Sequence, residues 1–159
     1  MRTATIERVT GETNIKVTVT LDGKGTASID IGIGFFDHML TALSVHSRIS
    51  MDIKAKGDLH VDGHHTVEDA GIVLGQAIKE AIGDKKGIRR YGFFILPMDE
   101  VLALCAVDLC GRPFFQFDCE FTSEKVGDLE TELVKEFFYA VSYSAGMNLH
   151  IKMLTPGNN

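Results

Sequence analysis

Alternation of apolar and polar residues marks the first third of the chain as β-structure. Residues 3–8 and 14–21 place apolar, often β-branched side chains at every second position. This period of two is typical of strands with one buried face. The Asp-Gly-Lys-Gly segment at 22–25 predicts a hairpin turn into a third strand over residues 26–31. Residues 49–56 alternate again and predict a fourth strand.

Two segments between and after these strands have helical spacing instead. Residues 35–47 predict a helix whose core stripe comprises four apolar residues: Phe36, Met39, Leu40 and Leu43. On a neighbouring stripe, three residues follow one another at intervals of four: His38, Ala42 and His46. Residues 66–82 predict a longer helix that ends at Gly83-Asp84, with four inward-facing residues: Leu74, Ala77, Ile78 and Ala81.

The second half repeats the order of elements in the first. We predict strands at 91–96, 101–108 and 114–121, a helix at 128–144, and a strand at 147–154. A shift of 98 positions places Ala42, Ser44, Ile53 and Lys54 on Ala140, Ser142, Ile151 and Lys152. The shared order indicates an internal duplication. We therefore predict one α+β domain over residues 1–159, made of two similar βββαβα halves at about 1–86 and 87–159. Each half has a mainly antiparallel sheet with helices on one face.

The last helix of the second half is missing from this pattern. The sequence given stops at 155–159, where the duplicate of the 66–82 helix should begin. A loop ending in Gly-Asn-Asn is typical of the start of a helix. We therefore expect a further helix beyond Asn159.

Composition and charge narrow the function classes. Hydrophobic residues make up 45% of the chain and charged residues 24%, as in ordinary globular proteins. The formal charge of -6 argues against a nucleic-acid or membrane partner. An odd number of cysteines, Cys105, Cys110 and Cys119, without metal-ligand spacing favours reduced thiols. With no signal peptide or transmembrane run, we expect a cytoplasmic protein.

The segment His64-His65-Thr66-Val67-Glu68 carries the clearest chemistry in the chain. Residues four apart share one helix face, so His64 and Glu68 can hold one metal ion. His65 points about 100° further round the helix and must serve something else, such as a second metal. Imidazole and carboxylate together suit manganese, iron or zinc.

Structural explanations exist for these residues as well. Adjacent histidines can simply be polar residues at a helix start, and the negative charge of Glu68 in the first turn can interact favourably with the helix dipole. A helix histidine such as His38 or His46 is usually a surface or core-edge residue. Two other functions remain open: a non-catalytic assembly module stapled by metal, and a metal-dependent hydrolase. The hydrolase is disfavoured because the motif lacks the glutamate that lies between the histidines of HExxH proteases.

Seven segments, one of which contains the histidine motif, run the length of the chain. They are Glu12-Thr13, the 35–40 segment FFDHML with His46, the 62–69 segment DGHHTVED, the 87–92 segment GIRRYG, the 97–100 segment PMDE, the 107–113 segment VDLCGRP and the 148–151 segment NLHI. Together they resemble the imidazoleglycerol-phosphate dehydratase family of histidine biosynthesis. The resemblance implies dehydration of imidazoleglycerol phosphate to imidazoleacetol phosphate, with two divalent metal ions, Mn²⁺ as the expected metal.

The resemblance also implies roles for particular residues. It assigns His64 and Glu68 to one metal, and His38, His65 and Glu136 to the other. It makes Glu12 a substrate-contacting carboxylate and our candidate proton shuttle, with Glu68 the second catalytic candidate. The implied substrate-binding residues are Glu12, His38, His46, His64, His65, Arg90 and Arg112, the two arginines holding phosphate.

Three features depart from the family pattern. Its second HHxxE helix and C-terminal tail should lie beyond Asn159, so we expect this form to be metal-poor or metal-free. A family metal ligand, a histidine, is Glu136 here, and a common serine is Cys110.

The resemblance implies a trimer-based homo-oligomer, a 24-mer in the intact, metal-bound family member, with active sites shared between subunits. The expected partner is a small phosphorylated imidazole substrate.

Overall fold

The computed structural model describes residues 1–158. Its first sheet contains β1 (Thr3–Val9), β2 (Thr13–Thr20), β3 (Ala27–Asp30) and β4 (Ser50–Gly57). The strands lie in the order β1-β2-β4-β3. Strand β2 pairs antiparallel with both β1 and β4, whereas β3 runs parallel to β4 at the edge of the sheet.

The second sheet repeats this arrangement. It is built from β5 (Tyr91–Met98), β6 (Val101–Asp108) and β7 (Phe114–Asp118), followed after a short hairpin by the last strand. The hairpin consists of β8 (Lys125–Val126) and β9 (Leu129–Glu130), and the last strand is β10 (Asn148–Thr155). The order is β5-β6-β10-β7, with β7 parallel to β10. The predicted α+β fold of two similar halves is confirmed.

Three helices occur among residues 1–158: α1 (Gly34–Ser47), α2 (His64–Ile82) and α3 (Glu132–Ala145). Helix α2 lies against β1 and β2 on one side and against α3 on the other. Its apolar positions Val67, Val73 and Leu74 are almost fully buried with the β2 residues Ile15 and Val17. None of these helices is both long and apolar enough to cross a membrane.

Helices α2 and α3 approach each other closely at two glycines. A Cβ atom on Gly71 would lie 2.7 Å from the carbonyl oxygen of Phe137, and one on Gly75 would lie 2.7 Å from that of Val141. Near the start of α2, Gly63 lies against Leu133. Residues later in α2 contact residues later in α3, so the two helices run in the same direction.

Two serines show how closely the halves correspond. The Ser44 hydroxyl donates to the carbonyl of Ile49 at 2.7 Å, and the Ser142 hydroxyl donates to the carbonyl of Met147 at 2.8 Å. Both serines are fully buried at the corresponding positions of α1 and α3. Each therefore fixes the turn between its helix and the next strand.

The two faces of each sheet follow from this packing. The inner face, which carries Val17 and Ile53 in the first sheet, points toward the core. Strand pairing makes Ile6, Val17 and Ile53 the counterparts of Phe94, Cys105 and Ile151. The outer face is the opposite one.

The structure corrects several sequence predictions. Segment 22–25 is not a hairpin turn into a neighbouring strand, because β4 takes the place beside β2 and β3 crosses to the far side of β4. Met39 and Leu43 are 41% and 40% exposed, and the buried positions of α1 are Phe36, Leu40 and Ser44. Their helix packs on the edge strand β3 over a narrow stripe, so it covers less apolar surface than expected.

Element ends also differ from prediction. Helix α2 begins at His64, two residues earlier than expected, and β7 ends at Asp118. Helix α3 begins at Glu132 because the unpredicted β8–β9 hairpin occupies the residues before it. Asp128 instead binds the start of α1, accepting from the backbone N–H groups of Gly34 and Phe35 at 2.6 and 2.9 Å. The predicted terminal loop reaches Asn159, which lies outside the described residues.

Candidate functional site

The histidine motif forms the first turn of α2. The loop from β4 delivers Asp62, whose carboxylate accepts a hydrogen bond from the backbone N–H of His64 at 2.8 Å. An acidic side chain at this place accepts a hydrogen bond from an otherwise unpaired N–H, and its negative charge is stabilised by the positive end of the helix dipole. The side chains of His64, His65 and Glu68 are exposed at the helix surface. Local sequence thus both starts the helix and presents the candidate ligands.

His65 is held by a carboxylate that the sequence analysis did not identify. Its Nδ1 atom lies 2.9 Å from Oδ2 of Asp58, so Nε2 is left free for a ligand. The hydrogen bond with Asp58 raises the pKa of His65 above its usual value, with further contributions from the charges of Asp58, Glu12 and Asp62. The same hydrogen bond lowers the pKa of Asp58. A carboxylate on one ring nitrogen is the common way of orienting a metal-binding histidine.

Only one of the two carboxylate oxygens of Asp58, Oδ2, pairs with His65. Its Oδ1 atom is buried and has no hydrogen-bond partner among the described residues. Buried carboxylate oxygens usually have a donor nearby, so an unpaired one marks a place where a water or a ligand group belongs.

His64 lies between two other carboxylates. Its Nδ1 atom is 3.6 Å from Oδ1 of Asp62, and its Nε2 atom is 3.6 Å from Oε1 of Glu132. Glu132 is the first residue of α3, which shows that the parallel packing of α2 and α3 brings both helix starts together. The sequence analysis paired His64 with Glu68 and did not identify Glu132.

Glu12 occupies the turn between β1 and β2, at the same end of the first sheet as the start of α2. Its side chain is exposed. Its charge contributes to the raised pKa of His65, which places the two groups within electrostatic range. Of the candidate residues, Glu12, His64, His65 and Glu68 therefore belong to one region.

The two candidate arginines lie elsewhere. Arg90 donates to both carboxylate oxygens of Asp108, from Nε at 2.7 Å and from the terminal nitrogen at 3.0 Å. This pair raises the pKa of Arg90 and lowers that of Asp108, and the Arg112 charge adds to the latter effect. The Arg112 carbonyl accepts a hydrogen bond from the Asn148 side chain at 2.6 Å. Arg90, Asp108 and Arg112 thus form one basic cluster, at the end of the second sheet.

This arginine cluster lies at the opposite end of α2 from the histidines. A Cβ atom on Gly111, the neighbour of Arg112, would lie 3.0 Å from Nζ of Lys85, just past the end of α2. Helix α2 has 19 residues, which at the usual rise gives a length of about 28 Å. One copy of the chain therefore keeps its histidine end and its arginine end apart.

The remaining candidates lie on the other two helices. His38 and His46 are exposed on α1, with the His38 ring 6.3 Å from the ring of Phe35. Glu136 is exposed on α3, and both Glu136 and Glu68 contribute to the raised pKa of Tyr139, after its partial burial and the effects of Tyr143. Among residues 1–158, no group of three or more His, Cys, Asp or Glu side chains is arranged to hold a metal ion.

One signal in the sequence could have identified Asp58. Acidic residues and histidine alternate in the loop ahead of the motif, at Asp58, His60 and Asp62. A short loop leading into a histidine pair places its carboxylates within reach of the imidazole rings. Glu132 and Asp108 had no such signal, because only tertiary packing brings them to His64 and Arg90.

Comparison with known proteins agrees with this architecture. The family model described as imidazoleglycerol-phosphate dehydratase matches residues 31–159. The imidazoleglycerol-phosphate dehydratase of Lachnoclostridium phytofermentans is 61% identical over 158 residues, covering 99% of this chain and 81% of the relative. That of Acetivibrio thermocellus is 56% identical, covering 96% of this chain and 78% of the relative.

A solved structure extends the agreement to the fold. The imidazoleglycerol-phosphate dehydratase of Staphylococcus aureus superimposes with a TM-score of 0.87 at 41% identity, over 98% of this chain and 86% of that one. Matches of this extent define the class of protein as an enzyme, a hydro-lyase that carries out a dehydration in histidine biosynthesis. The chain belongs to the imidazoleglycerol-phosphate dehydratase family. The predicted enzyme class is confirmed.

Proposed function

We propose that this chain catalyses the manganese-dependent dehydration of imidazoleglycerol phosphate to imidazoleacetol phosphate. The observation that carries the proposal is the Asp58–His65 pair beside Glu12 at the start of α2. It combines a histidine with one free ring nitrogen, a carboxylate that fixes its orientation, and a second carboxylate available for proton transfer. Metal-binding enzymes that move protons need these three parts.

The donor set at the histidine end fits a divalent metal such as manganese. His64 and Glu68 are four residues apart on one helix and would hold one ion, while His65 would contribute to a second with His38 and Glu136. The buried, unpartnered Oδ1 atom of Asp58 supports a ligand group at this place. The chemistry that bound divalent ions supply is stabilisation of negative charge on the imidazole ring of the substrate, which favours loss of the hydroxyl group.

Protein side chains then have three tasks. Glu12 accepts and returns the proton at the glycerol carbons, because it is exposed, charged and close to His65. Glu68 is the second catalytic group, and His38, His46, His64 and His65 bind the substrate. Arg90 and Arg112 bind the phosphate, since a planar guanidinium matches two phosphate oxygens at once.

These tasks require more than one copy of the chain. The arginines and the histidines lie at opposite ends of α2, a helix about 28 Å long, and a small imidazole phosphate cannot span that length. We therefore propose a trimer-based homo-oligomer in which the arginines of one copy complete the histidine end of another. A symmetric assembly supplies such shared sites without any further protein.

The outer face of the second sheet supports self-association. Phe93, Ile95 and Leu104 lie there, and Phe93 is 79% exposed in a single copy. Large exposed aromatic and aliphatic side chains that adjoin one another mark interaction surfaces. A second copy would cover them. The free cysteines of the described region also fit a reducing cytoplasm, where we place the enzyme.

The test is a direct assay of the protein with imidazoleglycerol phosphate. Removal of metal by a chelator should abolish formation of imidazoleacetol phosphate, and added Mn²⁺ should restore it. Product formation that is indifferent to chelator and Mn²⁺ would contradict the metal-dependent mechanism. Release of inorganic phosphate in place of the ketone would favour a hydrolase, and metal-dependent assembly without turnover would favour a structural module.

A further inference from the structure

A chain of polar groups connects helix α2 to the turn that carries Glu12. It begins at Asp69, the neighbour of Glu68, which is 8% exposed. The Asp69 carboxylate receives the Arg8 guanidinium at 3.0 Å on Oδ1 and the Thr13 hydroxyl on Oδ2. Thr13 is 3% exposed. Three elements, β1, β2 and α2, therefore meet at one buried carboxylate.

The chain continues from Thr13 into the turn. The Thr13 and Thr10 hydroxyl oxygens are 3.1 Å apart. The backbone N–H groups of Glu12 and Thr13 both donate to the Thr10 oxygen, at 3.2 and 3.0 Å. The turn itself is closed by the backbone N–H of Thr10, which donates to the carbonyl of Thr13 at 2.8 Å. The Thr10 hydroxyl therefore links the Thr13 hydroxyl to the backbone N–H of Glu12 through hydrogen bonds.

The direction of these hydrogen bonds follows from the available protons. A carboxylate only accepts, and a hydroxyl has one proton to donate. Because Thr13 gives its proton to Asp69, Thr10 must donate to Thr13. The Thr10 oxygen is then left to accept from Glu12. The three hydrogen bonds that join Glu12 to Asp69 therefore point the same way, from the Glu12 amide through the Thr10 and Thr13 hydroxyls to the Asp69 carboxylate, and hydrogen bonds aligned in this way strengthen one another.

We propose that Asp69 is a positioning residue that holds the Glu12 turn, through Thr13 and Thr10, at a fixed place relative to the helix carrying His65 and Glu68. Only the consequence for turnover rests on the proposed function of Glu12. The structural part, the fixed position of the turn, does not. A proton-transfer group needs placement within a fraction of an ångström, and a buried anchor on the same helix as the candidate ligands provides it.

The test uses conservative pairs along the chain. Thr13→Val and Thr10→Val each remove a hydroxyl without changing side-chain shape, whereas Thr13→Ser and Thr10→Ser retain the hydroxyl. The control is Thr18→Val, which removes the 2.8 Å hydroxyl contact between Thr5 and Thr18 on the outer face of the same two strands. Melting temperature is recorded for each variant, so that turnover is compared among folded proteins.

Two measurements are made on each variant. Backbone hydrogen exchange, followed by mass spectrometry on peptides that contain Glu12, should become about tenfold faster at the turn in the valine variants. In the dehydration assay with Mn²⁺, kcat should fall about tenfold with KM changed less than about twofold. The serine variants should recover both properties, and Thr18→Val should leave both at the wild-type values.

Different failures have different meanings. Valine variants that match Thr18→Val in exchange overturn the proposal, as do serine variants that fail to recover turnover. Normal kcat together with a faster-exchanging turn also overturns it, because the anchor would then have no effect on the chemistry. If the wild-type protein shows no dehydration, the proposed function fails, while hydrogen exchange still decides whether Asp69 fixes the turn. Should Thr13→Val not fold, the variants of Thr10, which is less buried than Thr13, give the same test.

Discussion

The two sheets share one strand order but present different surfaces. On the outer face of the first sheet, Thr5, Thr18 and Asp52 lie side by side across β1, β2 and β4. At the corresponding positions, the second sheet has Phe93, Ala106 and His150. The neighbouring row repeats the contrast, with Glu7 and Lys16 against Ile95 and Leu104. The same backbone therefore carries a polar face in one half and a largely apolar face in the other.

The inner faces differ as well. Helix α2 covers β1 and β2, and Ile6 is partly buried beneath it. Phe94, the counterpart of Ile6, is 66% exposed, and none of the helices in residues 1–158 packs extensively on β5. A duplicated fold thus retains its strand pairing, while side chains diverge according to what each face contacts. The predictions below compare matched positions of the two halves.

The largest effect is expected at the histidine end. His64→Ala should lower kcat/KM and manganese affinity together, on the order of a hundredfold or more, because it removes the proposed metal ligand beside Glu132. His150→Ala, an exposed histidine of the second half, is the control and should leave the Mn²⁺ affinity unchanged. Titration with Mn²⁺ and steady-state assays measure the two quantities. Full metal binding by His64→Ala would exclude it as a ligand.

The next effect concerns assembly. Phe93→Asp should weaken self-association by roughly 30-fold or more, because burying a charge at an aromatic contact costs at least about 2 kcal/mol. Thr5→Asp, at the corresponding place in the first sheet, should have little effect. Sedimentation velocity over a range of concentrations gives the size of the assemblies. Equal behaviour of the two variants would show that the contrast between the outer faces has no role in association.

The arginine end should affect substrate binding more than metal binding. Arg90→Lys should raise KM about tenfold while Mn²⁺ affinity stays constant, since the two-pronged guanidinium becomes a single charge. Arg2, which pairs with Asp22 in the first half as Arg90 pairs with Asp108, provides the control. Arg2→Lys should leave KM within about twofold. A larger KM change for Arg2→Lys than for Arg90→Lys would reverse the proposed division between the halves.

Buried serines test how equal the two halves are. Ser44→Ala and Ser142→Ala should each lower the free energy of unfolding by about 1–3 kcal/mol, because each variant leaves buried carbonyl groups without their donor. The two losses should agree within about 1 kcal/mol, given their matching hydrogen bonds. Urea denaturation with a single midpoint measures both. A clear difference would mean that the halves unfold as unequal units.

The smallest effect is a pH dependence that only the first half should show. The raised pKa of His65 contributes stability below its unfolded value of about 6.5, and this contribution is lost as pH rises through the folded pKa. The lowered pKa of Asp58 contributes above about 3.9 and is lost in acid. Asp58→Asn in metal-free protein should therefore lower the melting temperature most near pH 5–6, and less near pH 8.

Asp118→Asn is the control for this pH dependence. Asp118 pairs with Lys152 at 2.8 Å in the second half, and this pair contains no histidine, the side chain that titrates between pH 5 and 8. Its effect on the melting temperature should be constant across that range. Parallel pH profiles for Asp58→Asn and Asp118→Asn would exclude a stabilising role for the charged His65–Asp58 pair.

Much of the fold was predictable because local patterns determine it. Period-two alternation in several segments, together with the repeated order of elements, located the eight strands of the two main sheets. Helical spacing located α1, α2 and α3, and most of these elements begin and end within a few residues of the prediction. The repeat offset that places Ser44 on Ser142 predicted two similar halves. Failures occurred where long-range pairing competes with local signals. Segment 22–25 has the composition of a hairpin turn, yet β4 displaces β3 from β2 because the pairing of β2 with β4 is longer.

By itself, the sequence indicated the candidate residues of the site: a histidine pair with a glutamate at helical spacing and, through the family resemblance, an acidic turn residue and two arginines. Spacing along one helix is a local property, so it can be inferred without the rest of the molecule. Only the tertiary structure decided which groups meet. Parallel packing of α2 and α3 brought Glu132 to His64, the loop after β4 brought Asp58 to His65, and the length of α2 separated Arg90 from both. Such contacts depend on how whole elements pack, and no single segment of the chain encodes them.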